Sequence, residues 1–181
     1  KIKKFVLLKR KNMKLAIVTA YPPSKVTLNE YAYHLVKSFR LKEKITELIL
    51  LTDVTNDEKD LDFEEDGCKI TVKECWKFNS YTNVLNVTKA INQTKPDAIL
   101  YNLQFMKFGD KKVAAALGLT LPWVCKIKNI PTIVLLHNIL EQVDLESAGF
   151  TSNKIAQKVY NFIGTSLTRL ILKADLVAVT M

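Results

Sequence analysis

The stretch Lys14-Leu-Ala-Ile-Val-Thr19, closed by Ala20-Tyr-Pro-Pro-Ser24, decides the fold. Every side chain from Leu15 to Val18 is apolar, and the run stops at turn-forming residues. A strand with one face in water alternates apolar and polar side chains, whereas a strand covered on both faces does not need to. The run therefore predicts a central strand of a parallel sheet with helices on either side.

Working outward, the same alternation of apolar run and periodic segment recurs to the end of the chain. Residues 28–41 read as a helix, because Leu28, Tyr31, Ala32, Leu35, Val36 and Phe39 follow the three-four spacing of one buried face. Thr27 and Glu30 form a capping-box pattern at its start. Residues 45–51 read as the second strand, 52–67 as an acidic surface loop, and 68–76 as a half-exposed strand. A helix is predicted over 81–95, with Val84, Leu85, Thr88 and Ile91 facing inward and Pro96 beyond its end. Residues 97–101 and 131–136 are further strands, separated by a helical region over 111–128 that is interrupted near Gly118 and Pro122. A long helix over 153–173 and a last buried strand over 175–180 complete the pattern. Residues 1–12 form an upstream extension outside the core or, alternatively, an edge strand. There is no internal repeat and no linker. Parallel strands need crossovers, and right-handed crossovers put helices on both faces. The expectation is one doubly wound, mainly parallel, Rossmann-like sheet in a three-layer α/β/α sandwich spanning residues 13–181.

Composition narrows the function. No apolar run reaches the roughly 20 residues of a membrane helix. Lys and Arg number 27 against 18 Asp and Glu, a net charge of +9 that attracts polyanions, anionic lipid headgroups or phosphorylated substrates. The surplus crowds the first stretch and is otherwise spread over helix surfaces, which argues against nucleic acid as the partner. Cys68, Cys75 and Cys125 lack metal-ligand spacing and clustered histidine, so neither a disulfide framework nor a metal site is expected, and a reducing cytoplasm is the natural compartment. Dinucleotide-binding, P-loop, nucleophile-elbow and zinc-protease motifs are all absent from the sequence.

Ligands of doubly wound sheets sit beyond the carboxyl ends of the strands. That rule selects residues 20–27, 102–110 and 137–141. In the first loop, the amino terminus of the following helix and the Lys25 cation could meet a diphosphate across Lys25, Val26 and Thr27. The loop has no glycine, and an ordinary capped turn explains it too. His137, directly after Ile133-Val-Leu-Leu136, could hold a sugar hydroxyl or act as acid or base. Tyr21, Asn102, Gln104, Asn138 and Glu141 are candidate substrate contacts, with Asp144 in the same segment as Glu141. His34 is assigned to packing within the first helix. Trp76, Tyr81 and Trp123 could stack on sugar rings, although a core role explains aromatics as well.

The ordered segments resemble a known family. Met13-Lys-Leu-Ala-Ile-Val-Thr-Ala-Tyr-Pro-Pro-Ser-Lys25 with Asn29-Glu-Tyr-Ala-Tyr-His-Leu35 is similar to the opening of retaining GT-B glycosyltransferases of family four. Lys95-Pro-Asp-Ala-Ile-Leu100, Ile130-Pro-Thr-Ile-Val-Leu-Leu-His137 and Lys173-Ala-Asp-Leu-Val-Ala-Val179 resemble later segments of that family's amino-terminal domain. The resemblance implies an acceptor-side domain acting with a second, donor-binding domain. Together they transfer a sugar from a nucleotide-sugar to a glycan or lipid-linked acceptor, with retention, usually without a metal and with no cofactor. It places His137 facing the donor sugar and implies peripheral contact with anionic membranes. Val26 and Thr27 stand where the family has a Gly-Gly pair. The end of the chain on a strand leads to the expectation that the donor domain lies beyond it, in cis or in trans.

Overall fold

The computed structural model describes residues 12–137 and 154–180, so the upstream extension, Asn138, Glu141 and Asp144 lie outside the described residues. The strands are β1 (Met13–Val18), β2 (Ile45–Asp53), β3 (Lys69–Trp76), β4 (Ala98–Leu103), β5 (Thr132–His137) and β6 (Leu176–Thr180). The helices are α1 (Asn29–Arg40), α2 (Asn83–Thr94), α3 (Lys112–Leu119), α4 (Leu121–Ile127) and α5 (Lys154–Ile171). All strands run parallel in the order β3-β2-β1-β4-β5-β6. The winding reverses between β1 and β4, which makes their carboxyl ends the switch point of a Rossmann-like α/β sheet.

Alternate residues of β1 serve two separate cores. Leu15 and Ile17 pack with Leu48, Leu50 and Leu100 beneath Ala32 and Val36 of α1. Ala16 and Val18 pack with Ile49, Leu51 and Ile99 against α2, α4 and the end of α5. Double coverage explains the unbroken apolar run, and burial of each large aliphatic side chain contributes about 1.5–3 kcal/mol. The predicted break between α3 and α4 falls at Thr120, with Pro122 in the first turn of α4, where its missing N–H costs no helical bond.

Two aspartates pin the register of the later strands. Asp97 accepts from the Lys14 N–H at 2.9 Å while its own N–H donates to the Lys14 carbonyl at 2.9 Å. Asp175 repeats the device one crossover later, accepting from the Thr132 N–H at 3.0 Å and donating to its carbonyl at 2.9 Å. Asp175 also pairs with Lys126 of α4.

The structure departs from the sequence expectations at several places in the fold. The capping box does not form: Leu28, at φ 68°, is the N-cap of α1, and the Thr27 hydroxyl accepts from Gln104 instead. In α2, Ile91 is buried and Val84 packs on the core as expected, but Val87 and Ala90 are buried as well and Leu85 is 72% exposed. Buried Asn83 lies on the same side as Val87 and Ala90, accepting from the Lys77 N–H at 3.0 Å and donating to its carbonyl at 2.8 Å. The loop between β2 and β3 is not wholly at the surface; Leu61 and Phe63 pack on the α1 side of the sheet, and the Lys59 side chain is buried. His34 is exposed rather than packed on a buried side, touching only the edge of Tyr33 among the ring contacts. The last strand is not the buried one expected; among the described residues it is the sheet edge, with Leu176 and Val179 exposed.

Candidate functional site

Side chains from four neighbouring strand ends meet beyond the switch point. Thr19 directly follows β1, Asn102 lies in β4, His137 ends β5 and Thr180 ends β6. The Thr19 hydroxyl donates to the Ala20 carbonyl, so its oxygen can only accept from the Asn102 amide, at 3.0 Å. That choice turns the Asn102 carbonyl oxygen toward His137 Nε2, 2.7 Å away. Nε2 must therefore carry a proton, and Nδ1, 2.9 Å from the Thr180 hydroxyl, accepts in the neutral ring. The fold selects one tautomer. Burial, and secondarily the Lys107 cation, hold the imidazole pKa below its ordinary value, so the neutral donor form prevails at neutral pH. The ring is 8% exposed and lies edge-on to Tyr31 at 4.4 Å. Tyr31, expected on the inner face of α1, instead covers the histidine.

Lys107, in the turn after β4, is a second buried group here. Its side chain is completely shielded, its ammonium donates to the Thr27 carbonyl at 3.1 Å, and it lies 5.8 Å from the Trp76 ring centroid. Burial drives its pKa down to about 7, opposed in part by the Asp53 carboxylate. Gln104 donates to the Thr27 hydroxyl at 2.8 Å. Thr27 is thus tied twice to the loop after β4, and the two loops are laced together across the switch point.

The loop after β1 consumes most of its own donors. Pro22 and Pro23, joined by a cis peptide bond, have no N–H. The Ser24 N–H bonds the Tyr21 carbonyl at 3.0 Å, and the Val26 N–H bonds the Ser24 hydroxyl at 3.1 Å. That hydroxyl donates in turn to buried Asp53 at the end of β2, whose other oxygen is 3.6 Å from the Lys59 ammonium. Lys25 stands exposed, Val26 packs on the core and Thr27 is occupied by Gln104 and Lys107. Among the described residues, Lys25 is the one of the three expected diphosphate contacts whose side chain faces solvent without a partner.

Two of the expected substrate contacts are corrected by burial. Tyr21 continues the odd-numbered face of β1 and is completely buried, its hydroxyl unpartnered and its pKa raised mainly by desolvation. It belongs to the α1-side core. Asn102 is also fully buried, with its amide and carbonyl committed to Thr19 and His137. Asn102 positions the histidine and does not face a ligand. Gln104 is half-buried and joins the loops. Trp76 is a core residue whose indole donates to the Leu51 carbonyl at 3.2 Å, whereas Tyr81 and Trp123 are exposed. Lys107, Asp53 and Lys59 carried no distinguishing pattern in the sequence, although Lys107 falls inside the 102–110 segment selected by the strand-end rule.

No helix among the described residues is long and apolar enough to cross a membrane. No family model matches the chain, and no curated protein does. Among solved structures, the Bordetella bronchiseptica enzyme WbmG in complex with NAD is similar at 14% identity and TM-score 0.49, over 94% of this chain and 53% of that one. The same enzyme with NAD and UDP is similar at 14% identity and TM-score 0.48, over 93% and 52%. The Aquifex aeolicus SurE protein is similar at 12% identity and TM-score 0.32, over 84% and 60%. The chain spans about half the length of the WbmG structures, and at these identities the likeness concerns the fold alone.

Proposed function

We propose that the chain is the acceptor-side Rossmann-like domain of a retaining GT-B glycosyltransferase. It moves a sugar from a nucleotide-sugar to a glycan or lipid-linked acceptor, together with a donor domain supplied in cis or in trans. The observation that supports this reading is His137, a neutral imidazole of defined tautomer at the end of β5, linked through Asn102 to the exit of β1. Nε2 stays committed to buried Asn102, so the ring would meet a sugar hydroxyl at Nδ1, as a neutral acceptor in place of half-buried Thr180, without placing a cation beside it. The positive balance of the chain supports work at the inner face of an anionic membrane.

The test is nucleoside diphosphate release from a panel of nucleotide-sugars by the chain combined with its donor domain. Turnover is expected, with His137→Ala slowing it on the order of 100-fold while leaving the circular dichroism spectrum unchanged. Equal rates for wild type and variant would refute the role of His137.

A second reading, a non-catalytic glycan-, lipid-headgroup- or protein-binding module of the same fold, draws on one observation. Val26 and Thr27 replace the flexible pair of glycines, and Gln104 and Lys107 fasten Thr27 where a diphosphate would enter. Failure of every donor to turn over, with acceptor binding retained, would select it.

A further inference from the structure

We propose that the groove between β3 and α2 binds a phosphate monoester carrying a flat apolar body. This site is independent of the reading above; four strand spacings separate β3 from β5, or about 19 Å.

The groove encloses about 460 Å³, within the range of small-molecule sites. Val54, Cys75 and Ala90 give its lining an apolar part, and three lysines line it as well, Lys73 within β3, Lys77 directly after the strand and Lys89 on α2. Among the described residues none of the three is paired with a carboxylate. Glu74, the acid in the lining, is engaged elsewhere: one of its oxygens accepts the Thr55 N–H and hydroxyl, each at 3.1 Å, and lies 3.4 Å from Lys59. The Cys75 thiol, pushed up to about 12 mainly by burial, stays neutral and within the apolar part of the lining.

Three lysines against the one carboxylate of Glu74 leave the lining positive, which favours a dianion with several acceptor oxygens over a neutral ligand. Concave walls of low dielectric concentrate the field of the three cations. The apolar part of the lining leaves space for a ring beside the anionic group. One end is also held in shape. The reciprocal Asn83–Lys77 bonds fix the strand exit, and the Ser80 and Thr82 hydroxyls bond each other at 2.9 Å. Little ordering remains for a ligand to impose.

The test is calorimetric titration of the full chain with phenyl phosphate at low salt, with benzoate, phenol and inorganic phosphate as partial ligands. Phenyl phosphate is expected to bind more tightly than each of the others, and added salt should weaken it. The triple variant Lys73→Ala, Lys77→Ala, Lys89→Ala should lose at least about tenfold in affinity, and Lys89→Glu alone should lose part of that. Lys128→Ala, which removes a distant surface charge, should bind as wild type does. The proposal is overturned if phenyl phosphate does not bind, if benzoate binds equally well, or if the triple variant and Lys128→Ala are weakened alike. All the substituted lysines are exposed, so the variants are expected to fold, and a thermal melt checks this.

Discussion

Replacing Lys107 by methionine should flatten the dependence of stability on pH just above neutrality. In the native protein the shielded ammonium titrates at about 7 rather than at 10.5, because burial penalises its charge. Below that range the folded and unfolded chains both carry the proton. Between the two values the unfolded chain still binds it and the folded chain does not, so stability rises with pH. Each unit of difference is worth about 1.36 kcal/mol. Integrating from about pH 7, where the group is half titrated, to about pH 8.5 gives a gain of about 1.5 kcal/mol. His137, also depressed by burial, contributes in the same direction but mostly at lower pH, and it is present in both proteins. The thiols of Cys68, Cys75 and Cys125 have raised values and act oppositely, lowering stability at more alkaline pH. The difference between wild type and Lys107→Met in urea unfolding across this window therefore reads chiefly the lysine, with a smaller change at His137, whose value the Lys107 cation also lowers. Parallel curves for the two proteins would show that the ammonium keeps its proton throughout, and the argument from burial would be wrong.

Two further outcomes follow from the packing and the strand-end network. Gly118→Ala should cost about 1–3 kcal/mol in the same urea assay, because the new methyl would overlap the ring of fully buried Phe108; a neutral result would mean that α3 can move away from that ring. Asn102→Asp places a carboxylate beside His137 Nε2 and should raise the histidine pKa by about 1–3 units, read from the ring proton shifts by NMR. An unmoved titration would mean that the 2.7 Å contact is not made in solution.

The layered fold was legible because its cause is local. Strands covered on both faces must be apolar throughout, and the runs at Leu15, Ile49 and Val134 follow from that demand. Asp97 and Asp175 were visible as parts of recurring segments, but their work as register pins depends on neighbouring strands. The full inner face of α2 was illegible, since Asn83 reaches back to Lys77 through a contact that no periodicity records. Tyr21 was misplaced although the parity of β1 pointed inward; its position after a strand outweighed the pleat. For His137 the strand-end rule found the place, while its partners came from 35 and 43 residues away in the sequence. Lys107 was invisible for a similar reason. A lysine is ordinarily a surface residue, and only the convergence of Thr27, Trp76 and Asp53 makes this one an interior group.

The margin at β6 bears on how the molecule behaves in a tube. From Leu176 to Thr180 there is no proline, no charge and no glycine, and among the described residues no strand pairs with its outer side. Those are the devices by which natural sheets discourage sideways addition of another chain. Where nothing else covers this margin, sideways adhesion between copies of the domain is expected to begin along these five residues rather than at its helical faces.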